Sequence, residues 1–170
     1  MLLDYQILVT DLTREDAGRI TDLQRENAIA AAVERYSQDR PRDKVEDING
    51  QGTQALALPA AWQADFSVLR SLEYPIGNAP PTLLAQDSYA LYLAPAGQFI
   101  LLRAAIPVGV ANVRASYTIR HQVSASVDTI PQQHREVVAC WATAIPCDQL
   151  ASFYSGQTDT TMQADAVDHK

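Results

Sequence analysis

NVRASYTIRHQV, residues 112–123, alternates apolar and polar side chains along most of its length. The apolar positions are every second residue from Val113 to Ile119, and polar or charged side chains lie between them. Because successive side chains of a strand point to opposite faces, this period of two predicts a half-buried antiparallel strand. We therefore expect a sheet with one face on a core and one face toward solvent.

Further strands are predicted on the N-terminal side of this stretch. Residues 66–75 alternate, with Phe66, Val68, Leu72 and Tyr74 on one face. Asn49-Gly50 supplies a tight-turn dipeptide between two short extended runs, so we expect a hairpin there. The predicted strands are KVEDI (44–48), TQALALP (53–59), FSVLRSLEYP (66–75), SYALYLAP (88–95) and QFILLRAAI (98–106), with turns at Pro95–Gly97 and Pro107–Gly109.

Helical periods occur at both ends of the chain. DLQRENAIAAAVERYSQD, residues 22–39, predicts an amphipathic helix capped by Asp22, with a buried face listed here: Ile29, Ala32, Val33 and Tyr36. A weaker helix is expected within residues 3–20, with Thr13 or Asp11 as its cap. Residues 128–145 predict a third helix, which Pro146 should break or kink near Ile145. We expect its buried face at Val137, Trp141, Ala144 and Ile145.

This order of elements predicts an α+β fold. Helical segments at 1–40 and 131–156 would form a body around an antiparallel β-rich region at 43–124 with extended hairpins. We expect one domain over residues 1–156, followed by a polar tail at 157–170. The N-terminus lacks a basic segment and no run of about 18 apolar residues occurs, so we expect neither a signal peptide nor a membrane span.

Charge is distributed unevenly along the 170 residues, whose net charge is −7. Residues 1–50 hold eleven acidic and seven basic side chains, whereas residues 51–130 hold only four of each. An acidic chain lacks the basic surface that gripping phosphate requires, so direct DNA binding is not expected. The charge-poor middle predicts either core or surface covered by a partner. Cys140 and Cys147 are expected to be buried, reduced thiols.

Signatures of catalysis are weak throughout. Gly50-Gln51-Gly52 lacks the third glycine and the following helix of a phosphate-binding loop, so a turn is the better interpretation. The histidines at 121, 134 and 169 are expected to be surface or interface residues, and no zinc-ligand spacing is present. Asp65, Glu73 and Asp87 could form an acid/base pair but have no spacing signature. The sequence therefore predicts no catalytic, cofactor-binding or metal-binding residues, and no enzyme.

Aromatic side chains at alternating positions in the β-rich region could form a binding platform, but they are more often the core of a sheet. We expect the core role for Trp62, Phe66, Tyr74, Tyr89, Tyr92 and Tyr117.

LEYPIGNAPPTLL, residues 72–84, interrupts the strands with three prolines. Glu73 is its only carboxylic acid, and it contains neither histidine nor cysteine, so we expect no catalytic role for it. Proline fixes φ and removes a backbone donor, and Gly77-Asn78 supplies a turn. We expect a stiff joint that leads into the following strands and is exposed to a neighbouring subunit.

Several short motifs occur in an order that resembles the head–tail connector proteins of tailed double-stranded DNA phages, also called neck, adaptor or head-completion proteins. The resemblance covers most of residues 25–168, and its most specific motifs are Tyr36-Ser37 with Arg40-Pro41, Leu58-Pro59 with Trp62 and Phe66-Ser67, Glu73-Tyr74-Pro75, and Thr129-Ile130-Pro131. The resemblance implies a virion structural protein of the neck, made in the host cytoplasm. It would form a ring, commonly of twelve copies, beneath the portal.

Such a ring joins capsid to tail and extends the DNA channel. The implied partners are further copies of the chain, the portal protein and the next neck or tail protein; DNA would pass through without sequence-specific binding. The acidic N-terminal half is expected to line part of that channel, since an acidic lumen repels phosphate. The alternatives are a tail-terminator or stopper ring, usually hexameric, and a small-ligand-binding or enzymatic α+β domain.

Overall fold

The computed structural model describes residues 1–14, 19–95 and 97–155. Its helices are α1 (Leu2–Thr13), α2 (Asp22–Asp39) and α3 (Arg135–Ser155). Between α2 and α3 lie β1 (Arg42–Gly50), β2 (Ala55–Leu56), β3 (Leu69–Glu73), β4 (Tyr89–Ala94), β5 (Gly97–Leu102) and β6 (Gly109–Ile119). Every pairing among these strands is antiparallel. The predicted α+β class, with helices at both ends of the sequence and antiparallel strands between them, is confirmed.

The chain divides into two compact units. Unit 1 comprises Met1–Tyr36 and the chain from Gln122 onward, and unit 2 comprises Ser37–His121. Unit 1 has a helical core, and unit 2 has a core between strands. The single domain over 1–156 stays a prediction, and the polar tail at 157–170 lies outside the described residues.

Helix α2 has the predicted bounds and the predicted buried face. Ile29, Ala32, Val33 and Tyr36 are all buried. Its cap differs from the prediction, because Thr21 rather than Asp22 precedes the first turn. The Gln24 N–H donates to Thr21 Oγ1 at 3.2 Å and the Thr21 N–H donates to Gln24 Oε1 at 2.8 Å, which is a reciprocal capping box.

Helix α1 begins earlier in the chain than its predicted caps. The helix starts at Leu2, and Asp11 and Thr13 lie in its last turn. Arg14 follows in a left-handed conformation, with φ of 48°, and closes the C-terminus. Tyr5 and Val9 are its buried residues and pack in the core of unit 1.

Helix α3 continues through Pro146 to Ser155, so the predicted break is wrong. A proline inside a helix removes one backbone hydrogen bond, but its apolar ring is fully buried here, which offsets part of that cost. The predicted buried face is wrong at Val137, Ala144 and Ile145, which are exposed, whereas Trp141 is partly buried against the core of unit 1. Val138, Ala139 and Ala142 are buried instead, since apolar residues surround the helix and the period does not select a face.

Strands β1, β6 and β3 form the long sheet, in that order. Val113, Ala115 and Tyr117 of β6 are completely buried, which confirms the alternation that predicted the strand. Thr118 is the exception on the polar face, because it too is buried. Its Oγ1 accepts a hydrogen bond from the Val68 N–H at 2.8 Å.

The hairpin predicted at Asn49-Gly50 is wrong, because β1 runs through both residues and pairs with β6. The register shifts between Ile48 and Gly50, where β6 carries a bulge and Ala111 has a φ of 47°. Two asparagine side chains replace the interrupted ladder bonds. Asn49 Oδ1 accepts from the Ala111 N–H at 2.7 Å, and Asn112 Oδ1 accepts from the Gly50 N–H at 2.6 Å.

Strand β3 is shorter than predicted and contains a bulge of its own. Leu69 pairs with Tyr117 but Ser71 pairs with Ser116, so one residue of β3 is extra. The bulge changes which side chains face the core. Leu72 is completely buried, whereas Val68, predicted on the same face, is 55% exposed.

Strands β2, β5 and β4 form the small sheet, in that order. The strand predicted at 88–95 is confirmed as β4 and the first part of the strand predicted at 98–106 as β5, and the two pair in an antiparallel register. Ile100 and Leu102 of β5 are buried in the core of unit 2, together with Leu56 of β2. The small sheet is therefore anchored by its first two strands.

The proline-rich stretch 72–84 forms a loop that is closed at its base. The Tyr74 N–H donates to the Thr82 carbonyl at 2.9 Å and the Leu84 N–H donates to the Leu72 carbonyl at 2.8 Å. Gly77, with φ of 89°, makes the predicted turn. Residues 77–83 are exposed. The loop thus connects β3 to β4 as predicted.

Candidate interaction surface

The β4–β5 hairpin of unit 2 carries an exposed surface without charged side chains. Tyr89 pairs with Leu102, and the register continues without interruption to Ala94 opposite Gly97. No charged residue occurs from Ser88 to Leu102. Directly opposite side chains lie on the same face of a sheet, so the register assigns each side chain to one of two faces.

One face of the hairpin turns away from the core of unit 2, and we call it the outer face. It consists of Ala90, Tyr92, Phe99 and Leu101. The rings of Tyr92 and Phe99 lie 5.3 Å apart, and Tyr92 is 50% exposed. Such a contiguous apolar surface on a protein without a partner is typical of an interaction site.

An ion pair marks the base of the hairpin. Asp87 and Arg103 flank the uncharged stretch, with Oδ2 and Nη1 at 3.6 Å, and both side chains are 74% exposed. A pair so exposed contributes little to stability. It places the nearest charges at the edge of the apolar surface, which is the arrangement of an apolar centre with a polar rim.

Unit 1 also exposes apolar side chains on its helices. Leu3 and Ile7 follow each other by one turn on α1 and are 63% and 52% exposed. They line a groove whose other walls include Thr10, Arg25 and Glu26. On α3, Val137 and Ile145 are exposed. Both units therefore expose apolar side chains whose burial against another subunit would be energetically favourable.

A polar network crosses the long sheet. Arg114 of β6 binds Asp47 of β1 through two bonds of 2.7 and 3.0 Å, and its Nη1 lies 3.6 Å from Glu73 Oε2. The bonded guanidinium lowers the pKa of Asp47, and the same contact raises that of Arg114. Glu73, an expected candidate for acid/base chemistry, is thus a buried partner of an arginine.

Glu46 and Tyr117 form the second polar contact of this sheet. The Tyr117 hydroxyl donates to Glu46 Oε2 at 2.8 Å, and the Ala60 N–H donates to Oε1 at 2.8 Å. Burial raises the pKa of Glu46, but these hydrogen bonds outweigh it, so the pKa lies below its ordinary value. Burial, and then Glu46, raise the pKa of Tyr117.

This contact predicts a pH-dependent cost for Tyr117→Phe. A carboxylate whose pKa is lowered by folding stabilises the protein above its unfolded pKa, and that contribution is lost as pH falls through the folded pKa. We expect the variant to lose about 1.5 kcal/mol of unfolding free energy near neutral pH, where a charged group accepts the bond. Urea unfolding at a pH low enough to protonate Glu46 in the folded protein should show a smaller loss, because a neutral carboxyl group then accepts the bond. An equal loss at both pH values would contradict the assigned partner, and Tyr92→Phe, on the exposed outer face, is the control.

The other acidic residues and histidines that could take part in catalysis do not come together in one site. Asp65 is exposed, and Asp87 pairs with Arg103. His121 is buried rather than at the surface: its backbone N–H donates to Ser37 Oγ at 2.9 Å, and its Nε2 lies 3.1 Å from the Arg40 carbonyl oxygen. In unit 1, His134 Nδ1 lies 2.6 Å from the Tyr36 hydroxyl. His169 lies outside the described residues.

The cysteines differ from the expectation in their exposure, and the turn expected at Gly50-Gln51-Gly52 lies at Gly52. Cys140 and Cys147 are free thiols as expected, but both are exposed, because they lie away from the buried face of α3. Gly52 has a φ of 73°, and its N–H donates to the Ile106 carbonyl at 2.9 Å. The chain therefore changes direction at Gly52, two residues beyond the end of β1 at Gly50.

The aromatic side chains divide between core and surface. Tyr117 is completely buried, and Trp62, Tyr74 and Tyr89 pack against the same core, as expected. Phe66 is half-buried beneath Arg120, whose guanidinium carbon lies 4.7 Å from the ring centre. Tyr92 is the clear exception to the expected core role. Its place near the end of a hairpin could be found only after the strand register was known.

Among residues 1–14, 19–95 and 97–155, no group of three or more potential metal ligands is assembled. None of the helices in these ranges is long and apolar enough to cross a membrane. Comparisons with protein-family models, with curated proteins and with solved structures find no match to this chain. The exposed apolar surface is therefore the structural feature that bears most directly on function.

Proposed function

We propose that this chain is a structural subunit of the neck of a tailed phage, a head–tail connector that forms a ring beneath the portal. The observation that carries the proposal is apolar surface exposed on both units: the outer face of the β4–β5 hairpin, and the exposed residues of α1 and α3. A ring subunit needs several such surfaces, because it contacts two neighbours and the components above and below it. An enzyme of this size instead concentrates its function in one concave pocket.

The charges of the N-terminal helices suit the proposed channel. Asp4, Asp11, Asp22 and Glu26 are exposed on α1 and α2. Of these, Asp22 forms an ion pair with Arg25 at 2.8 Å, and Asp4 forms one with the N-terminal ammonium group at 2.5 Å. Fixed negative charge repels phosphate within about 8 Å at physiological salt, so a lumen lined in this way lets DNA pass without holding it.

The remaining contacts belong to the same proposal. The exposed loop 77–83 would lie against a neighbouring subunit, and the partners would be further copies of the chain, the portal and the next neck or tail protein. The protein would be made in the host cytoplasm and incorporated into the virion.

Co-sedimentation with portal rings of the same phage tests this function. We expect the wild-type chain to sediment with the portal and to appear in electron micrographs as a ring that continues its channel. Tyr92→Glu places a charge on the outer face and should weaken this association at least tenfold, since charge is depleted at interface centres. Val45→Glu, at a 58% exposed position on the charged strand β1, is the control.

Two results would reject the connector. The first is a chain that stays free at every portal concentration tested. The second is a hexamer by native mass spectrometry that binds tail tubes and not portals, which is the behaviour of a tail terminator. A melting temperature that responds to a small ligand, with no ring, would favour the ligand-binding alternative.

A further inference from the structure

The backbone of β4 bonds to β5 on one side only. The Arg103 N–H donates to the Ser88 carbonyl at 2.8 Å, which sets an alternation in which the even-numbered residues of β4 bond to β5. The N–H and C=O groups of Tyr89, Leu91 and Leu93 therefore point away from β5. Within the part of the chain that the structure describes, no other strand pairs with this edge.

This edge lacks the features that keep exposed strands apart. Proteins blunt such edges with charged residues, proline or a bulge. β4 has the sequence YALYLA, with no charge and no proline, and its register with β5 contains no shift. Leu93 is 77% exposed, and the side chains on both faces of the strand are apolar or aromatic. An edge of this kind pairs with another strand when one is available.

We propose that the free edge of β4 is covered by β4 of a second copy, in an antiparallel pair whose two-fold axis passes through Leu91. In this register Leu91 lies opposite Leu91 of the second copy and Tyr89 lies opposite Leu93, and each pair exchanges both backbone bonds. On the other face, Tyr92 lies opposite the small Ala90. The strand is self-complementary, because every cross-strand neighbour is apolar or aromatic and the large ring meets the smallest side chain.

Charge does not prevent a second copy from being the occupant, although the chain is acidic overall. Two chains that each carry a net charge of −7 repel each other, and like charges placed directly opposite destabilise a sheet. Strand β4 carries no charged residue, so pairing it with β4 of a second copy places no like charges opposite each other. The pair joins the two small sheets into one sheet with the order β2-β5-β4-β4-β5-β2.

The proposed β4–β4 pair would form between free chains and is not the contact that builds the proposed ring. A two-fold contact is closed, so it does not propagate around a ring. The edge is about 20 Å long and the sheet about 10 Å thick. The contact area that these dimensions allow is well below the roughly 800 Å² per partner of a standard stable interface. The dimer is therefore weak and dissociates when the chain enters a larger assembly. The inference does not depend on the proposed function.

Disulfide trapping tests the register. In a background with Cys140→Ser and Cys147→Ser, Leu91→Cys places the two new thiols in a hydrogen-bonded pair with about 5.5 Å between Cα atoms, which a disulfide spans. We expect mild oxidation to convert this variant into a covalent dimer, and the second variant Val110→Cys, at an 88% exposed position of unit 2, to remain largely monomeric.

Sedimentation equilibrium tests the edge without a covalent bond. We expect the wild-type chain to show a reversible monomer–dimer equilibrium and Leu93→Lys to weaken it at least tenfold. Val110→Lys, with the same change at a comparably exposed position, should leave it unchanged, and circular dichroism should show all three chains folded. A wild-type monomer at all concentrations, a dimer insensitive to Leu93→Lys, or equally fast trapping at positions 91 and 110 would each overturn the proposal. Portal binding is measured separately, so either proposal can fail alone.

Discussion

Leu72→Ala should lower the free energy of unfolding by about 3 kcal/mol, in the usual range for removing a fully buried leucine side chain. Leu72 is completely buried in the core of unit 2, where Val113, Ala115 and Tyr117 of β6 also lie. The substitution leaves a cavity between strands whose positions are fixed by backbone pairing on both sides, so collapse of the site is limited. Urea unfolding followed by tryptophan fluorescence measures the loss.

Val68→Ala is the matched control for this prediction. A regular strand over residues 66–75 would place Val68 on the same buried face as Leu72, and the two substitutions would then cost similar amounts. The bulge in β3 leaves Val68 55% exposed, so we expect a loss below about 1 kcal/mol. Similar losses for both variants would contradict the bulge.

Gly50→Ala should cost about 3 kcal/mol, the second large effect that we expect, because it forces the backbone apart rather than leaving a cavity. A Cβ atom at this position would lie 2.3 Å from the Pro107 carbonyl oxygen and 2.9 Å from the side chain of Asn112. Neither neighbour moves freely, since Asn112 also bonds the Gly50 N–H and the Pro107 carbonyl. Thermal unfolding by circular dichroism reports the loss.

Gly77→Ala separates this contact from the ordinary cost of replacing a glycine. Gly77 has a φ of 89° with no atom within 4 Å of its Cβ position, so only backbone strain opposes the substitution. We expect about 1 kcal/mol for it. If Gly50→Ala were no more costly than Gly77→Ala, the close approach of β1 to residue 107 would be wrong.

The strongest local patterns predicted the elements most accurately. Helix α2 has the bounds and the buried face that its period indicated, and β6 alternates as its sequence does. In both, one face is apolar and the other is polar, so the period has a single solution.

Long-range pairing explains the main error in the β region. Asn49-Gly50 has the composition of a hairpin turn, and nothing nearby in the sequence contradicts one. The two residues instead continue β1, because β6 supplies a partner strand some sixty residues later in the chain. The side chain of Asn112, which completes that pairing, has no local signal.

A different cause explains the errors in α3. Its apolar residues surround the helix, so the sequence offers several possible buried faces, and the structure uses Val138, Ala139 and Ala142. The side chains predicted to be buried, such as Val137 and Ile145, belong to the exposed surface. That surface and the outer face of the hairpin could not be predicted, since apolar residues were assigned to the core by default.

The hydrogen bonds around the bulge in β6, opposite Asn49 and Gly50, have a consequence for the chemical stability of the protein. Asparagine followed by glycine is prone to deamidation, in which the glycine nitrogen attacks the asparagine side chain and closes a succinimide ring. Here the Gly50 N–H is donated to Asn112, and Asn49 Oδ1 is held by the Ala111 N–H. Both reacting groups are thus kept in extended β structure, out of the geometry for ring closure. We therefore expect deamidation at Asn49 to require local opening of β1.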